Sequence, residues 1–68
     1  MHSDWETAKD DYIACYFADN QIMQEIAKLA FNGNPCKQEE LAEWFFQNGM
    51  AEEAERWFKK AKILRDNQ

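Results

Sequence analysis

Glycine, proline and cysteine are all scarce, at two, one and two among 68 residues. Two cysteines, Cys15 and Cys36, allow one bridge at most. That is too few for a disulfide-stapled secreted fold and predicts free thiols in a reducing compartment. Long apolar runs are missing too. Trp44-Phe45-Phe46 and Ala14-Cys15-Tyr16-Phe17-Ala18 are far too short to cross a bilayer. The start, Met1-His2-Ser3-Asp4, lacks the basic and apolar stretches of a leader. The expectation is a soluble, cytoplasmic protein.

Positive charge is short in the first half. Residues 1–34 carry six acids against two bases, whereas residues 35–68 carry seven against six, for a net charge of −5. An acidic half repels phosphate and argues against a primary nucleic-acid binder or docking on an anionic membrane. The basic stretch Arg56, Lys59, Lys60, Lys62 and Arg65 is opposed by Glu52, Glu53 and Glu55 one turn earlier.

Catalytic constellations are absent as well. His2, Cys15 and Cys36 fit no zinc spacing. Asp10, Asp11 and Asp19 with Glu6 have no supporting histidine or loop and read as a solvated helix face. The chain therefore reads as a non-enzyme without cofactor or metal.

Aromatic rings, by contrast, are abundant. Trp5, Tyr12, Tyr16, Phe31, Trp44, Phe46 and Phe58 are among ten rings, 15% of the chain. A chain this short buries only roughly 60% of its unfolded surface. Aromatics bury large areas and are enriched at interfaces, so some rings are expected to face another chain.

The apolar pattern predicts an all-α fold. Ser3 with Glu6 forms a capping box, and neither glycine nor proline follows until Gly33. Trp5, Ala8, Tyr12, Cys15, Ile22, Ile26 and Leu29 fit a heptad seam with Asp19 on it. Either one helix runs over about 4–31, roughly 42 Å at 1.5 Å per residue, or it breaks near Ala18–Asn20 and folds back. Asp19 and Asn20 favour a break, but no glycine accompanies them, and the unbroken helix is the preferred reading. Asn32-Gly33-Asn34-Pro35 punctuates the chain. A helix over about 35–48 follows, with Leu41, Ala42 and Phe45 inward and Trp44 and Phe46 to either side, one of them free to be exposed. Asn48-Gly49 ends it. The last helix, about 50–66, carries the stripe Met50, Ala54, Trp57, Ala61 and Leu64. Its acids lie early and its bases late, matching the macrodipole, and Glu52–Arg56 and Glu55–Lys59 are spaced for ion pairs.

Residues 35–66 resemble a single tetratricopeptide repeat, a helix–turn–helix of alternating small and large residues. The resemblance is carried by Leu41, Ala42 and Phe45, by Gly49 at the turn, and by Ala54, Phe58, Ala61 and Leu64. Ala51 stands where an aromatic is usual, the closing proline is missing, and the N-terminal half does not repeat the pattern. Gly49, Ala54 and Phe58 also resemble the spacing in PerC-like and ANR-type small regulators of enterobacteria and their mobile elements. Both resemblances imply work through protein contacts.

A continuous first helix would be about twice the length of the hairpin and leave Trp5, Ala8, Tyr12 and Cys15 without a partner. A two-fold homodimer pairing those stripes, with Asp19 setting register, would cover them. The expected function is a non-enzymatic protein-interaction module, a small regulatory or adaptor protein. Its expected partner or dimer surface comprises Trp5, Tyr12, Tyr16, Asp19, Trp44 and Phe46. An alternative is an acidic phage-type inhibitor or nucleic-acid mimic using Asp4, Glu6, Asp10 and Asp11. A second is a DNA-binding regulator using the last helix.

Overall fold

A computed structural model describes the backbone of residues 2–67 and the side chains of residues 8–67. Four helices follow one another: α1 (His2–Phe17), α2 (Gln21–Phe31), α3 (Pro35–Gln47) and α4 (Ala51–Asp66), with no strand among the described residues. The all-α expectation holds. Helix α1 is already helical at His2, ahead of the expected start at Ser3. The side chains of Asp4, Trp5 and Glu6, and the Ser3–Glu6 capping box, lie outside the described residues.

The preferred continuous helix is overturned. The chain turns at residues 18–20, and the reason is local hydrogen bonding. The Asn20 side chain accepts from the Met23 N–H at 3.1 Å, capping α2. Gln24 Nε2 donates to the Phe17 carbonyl at 2.7 Å and to the Ala18 carbonyl at 3.1 Å. The Phe17 carbonyl closes α1 and also accepts the Asn20 N–H at 3.0 Å, and the Ala18 carbonyl lies just past the helix end, where intrahelical donors run out. The side-chain amide takes the role that a left-handed glycine plays elsewhere in this chain. With the helix broken, the proposed homodimer loses its premise of an unpartnered half-stripe, and Asp19 sits exposed in the turn, not on a seam.

The other two connections use glycine. Gly33 and Gly49 have φ of +94° and +81°, a region that L side chains with a Cβ rarely visit. At each turn the glycine N–H and the next N–H reach back into the preceding helix. Gly49 N bonds Phe46 O at 3.1 Å and Met50 N bonds Phe45 O at 2.8 Å, and the Gly33 turn repeats the pattern on Ala30 and Leu29. Asn34 then caps α3 by accepting from Lys37 N, with Pro35 in the first turn.

The expected seam is rotated. Ala8 and Cys15 are exposed, as is Leu29, and Ile22 is 75% exposed. The residues buried instead are Ile13 and Phe17 on α1 and Met23, Ala27 and Ala30 on α2. The heptad carried through the break because it ignored the turn, which resets the facing of α2. Small Ala27, Ala30 and Ala42 let the helices approach closely, which a ridge of isoleucines would prevent. On α3 and α4 the expected inward residues Leu41, Ala42, Phe45, Ala54, Trp57 and Ala61 are buried.

Close backbone approach follows chain order. Cα atoms within 8 Å join α1 to α2, α2 to α3 and α3 to α4, and no other helix pair among the described residues. Among the described residues, rings of α1 reach α3 and α4. Phe17 lies 4.7 Å from Trp44 and Tyr16 lies 5.1 Å from Phe45, both edge-on, between ring centroids. Tyr12 meets Phe31, Phe45 and Trp57 at 5.4–6.4 Å. The high aromatic content is thus largely spent on spanning the gap between α1 and the C-terminal hairpin.

Candidate protein-contact surface

The outer flank of α3 and α4 carries an open groove lined by Glu43, Phe46, Gln47 and Phe58. Phe46 is 60% exposed and Phe58 40%. The helix geometry explains why. On α3 the buried arc is set by Leu41, Ala42 and Phe45, so the next position, Phe46, points past it. On α4 Ala54, Trp57 and Ala61 set the arc, and Phe58 stands beside Trp57. Of the two aromatics expected to flank the α3 stripe, Phe46 is the exposed one. Trp44 is half-buried against Phe17.

Electrostatics distinguish this flank. Glu43 and Glu55 each lie one turn ahead of an exposed phenylalanine, and neither has an ion pair among the described residues. Neither Lys59 nor Lys62 is paired there, so the Glu55–Lys59 pair does not form. Arg56 pairs with Glu53 at 3.2 Å and not with Glu52. Arg65 reaches across to Glu39 on α3 at 3.1 Å, with its guanidinium 3.8 Å from Cys36 Sγ.

The inner flank of α4 has a different character. Trp57 Nε1 donates to the Tyr12 hydroxyl at 3.1 Å, and that hydroxyl donates to Glu53 Oε2 at 2.8 Å. Glu53 Oε1 takes Arg56, and Lys60 stands 5.4 Å above the Trp57 ring. Burial pushes the Tyr12 phenol far above its ordinary range. The Trp57 hydrogen bond works against that rise, and the Glu53 hydrogen bond and charge add to it. The phenol stays protonated and serves as a donor. This network ties α1 to α4 across more than 40 residues of sequence. No sequence spacing marks it.

Of the residues expected to form the interface, the structure brings Tyr12, Tyr16 and Trp44 together, but around the core. Tyr12 and Tyr16 are half-buried with ring centroids 4.9 Å apart. Among the described members of that set, Phe46 and Asp19 are openly exposed, and they lie on different elements; the Trp5 side chain lies outside the described residues. Asp10 and Asp11 are exposed neighbours on α1. Cys15 and Cys36 are free and exposed. Among the described residues no group of three or more histidine, cysteine or acidic side chains could hold a metal ion, and no helix is long and apolar enough to cross a membrane.

Two positions escaped the sequence reading. Phe58 figured there only among the aromatic rings and in the repeat-like pattern, with no outward position assigned, although its neighbour Trp57 occupies the inward one. Gln38 was given no role, yet it is buried at 4% exposure and donates to the Ala30 carbonyl at 2.9 Å. It clamps the end of α2 to α3.

Compared with known protein families, curated proteins and solved structures, the chain matches none.

Proposed function

We propose that this chain is a non-enzymatic protein-interaction module, a small regulatory or adaptor protein acting in the cytoplasm, and that it works through the Phe46–Phe58 groove. The supporting observation is the groove itself: two large rings held open to solvent beside unpaired carboxylates. A marginal chain gains by burying such rings, and exposed aromatics of this kind are typical anchors of protein contacts. The tetratricopeptide-like and PerC-like resemblances point the same way, and the two unbridged thiols suit a reducing compartment.

Affinity capture with wild-type and Phe46→Asp baits tests the reading. A set of proteins held by the wild type and lost by the variant, with helical circular dichroism unchanged, supports it. Identical capture by both baits refutes it.

The acidic-mimic reading keeps one specific observation. Asp10, Asp11 and Asp19 are exposed on the α1–α2 hairpin, with no ion pair there among the described residues. It requires binding to a basic surface that weakens steeply with salt and disappears in Asp10→Lys/Asp11→Lys. The DNA-binding reading has less to draw on, because Arg56 and Arg65 are engaged with Glu53 and Glu39.

A further inference from the structure

We propose that the partner taken by the Phe46–Phe58 groove is a second copy of this chain, docked antiparallel along α4. The inference rests on the reading of this groove as a protein-contact surface, and names its occupant.

The argument starts from one row of α4. Glu55, Phe58 and Lys62 are three and four residues apart, so they share a helix face. All three are exposed, and neither charged member has an ion pair among the described residues. The row reads acid, aromatic, base. Its centre falls beside Phe58. A two-fold axis crossing α4 there reverses the row and lays it on itself. Glu55 of each copy then stands opposite Lys62 of the other, and the two Phe58 rings meet between the ion pairs.

The groove supplies the rest. Phe58 already forms one wall, with Phe46 on α3 forming the other and Glu43 at the lip. A Phe58 ring arriving from the second copy fits between them, covering the two exposed phenylalanines of each chain at once. A surface that is complementary to itself under a two-fold rotation is what an isologous dimer requires. A parallel arrangement would set Glu55 against acid and Lys62 against base, so charge selects the antiparallel one.

Sedimentation equilibrium of the full chain at high micromolar concentration, with a charge swap, tests this. The expected wild-type mass is twice 8.1 kDa. Phe58→Asp is expected to give the monomer with unchanged helical circular dichroism. Glu55→Lys and Lys62→Glu each place two like-charge pairs in the interface, and each is expected to weaken the dimer about tenfold. The double variant Glu55→Lys/Lys62→Glu restores opposition across the axis and is expected to recover wild-type affinity. So is an equimolar mixture of the two single variants.

A wild-type monomer overturns the proposal, as does a dimer indifferent to Phe58→Asp. A dimer that Phe58→Asp breaks but that the charge swap fails to rescue overturns the antiparallel arrangement. A monomer whose capture of other proteins is still lost in Phe46→Asp overturns the second copy as occupant, yet leaves the groove standing as a contact surface for a different partner.

Discussion

The two helical hairpins of this chain turn by different means. The C-terminal one, α3–α4, uses a left-handed glycine, packs its backbones close over Ala42, Ala54 and Ala61, and buries the centre of its predicted stripe, with Met50 and Leu64 at the ends half-buried. The N-terminal one, α1–α2, turns without glycine through Asn20 and Gln24, and α1 meets the rest of the core through rings. Backbone chemistry fixes the first hairpin and side-chain chemistry the second. The stability of the second therefore depends on particular side chains far from its own turn.

Phe45 is where the two meet, and its removal should have the largest effect. It is fully buried and touched by Tyr12, Tyr16, Phe17 and Trp44. Phe45→Ala is expected to cost about 3–5 kcal/mol. A chain of this length has a total stability of roughly 3–10 kcal/mol. Urea titration should show a largely unfolded variant; a loss under about 1 kcal/mol would mean that the rings repack without it.

Turn substitutions sharpen the contrast. Gly49→Ala forces a Cβ into a positive-φ conformation and is expected to cost roughly 1–2 kcal/mol, with open space around it and no clash. Gln24→Ala removes two side-chain hydrogen bonds at the other turn, at a cost of about 1 kcal/mol. The two should differ in location more than size. Native-state hydrogen exchange should show Gln24→Ala loosening α1 selectively, whereas Gly49→Ala should lower protection throughout α3 and α4.

The latch is expected to have an effect no larger than that of Gln24→Ala. Tyr12→Phe removes a donor to Glu53 and an acceptor for Trp57, at a cost of about 1 kcal/mol near neutrality. Its pH signature is more informative. The folded state raises the Tyr12 phenol above its unfolded value, so the folded chain binds that proton more tightly. The contribution is complete below the ordinary phenol value of about 10 and is lost as pH climbs above it. Wild-type urea midpoints should therefore drop between about pH 8 and about pH 11 by more than those of Tyr12→Phe. Equal drops would show that the Tyr12 proton makes no contribution to the alkaline loss.

The C-terminal hairpin was legible because its signals agree. Gly33 and Gly49 sit past helix ends, Pro35 opens a helix, and Ala54–Trp57–Ala61 keeps one period throughout. The N-terminal half misled because its strongest period, Ile22–Ile26–Leu29, marks a largely exposed ridge. The buried face of α2 is made of Met23 and two alanines, which carry a weaker apolar signal. The break at residues 18–20 was visible as a possibility in Asp19-Asn20. What decided it was Gln24, an ordinary helix residue until the Phe17 and Ala18 carbonyls are placed beside it. The Phe46–Phe58 flank was half-legible. An excess of apolar arc on α3 indicated an exposed ring, whereas nothing in the spacing around the inward Trp57 tells whether Phe58 beside it is covered or open.

Nearest-neighbour backbone packing also bears on how quickly the chain reaches its fold. Each helix finds its close partner within the next few dozen residues, so little loop entropy is spent before contacts repay it. Helical proteins of such local topology cross their barrier in microseconds to milliseconds. The Tyr12–Glu53–Trp57 latch, by contrast, joins residues 41 and 45 positions apart along the chain. It would close after the hairpins have docked, so replacing Tyr12 should speed unfolding while leaving the folding rate almost untouched.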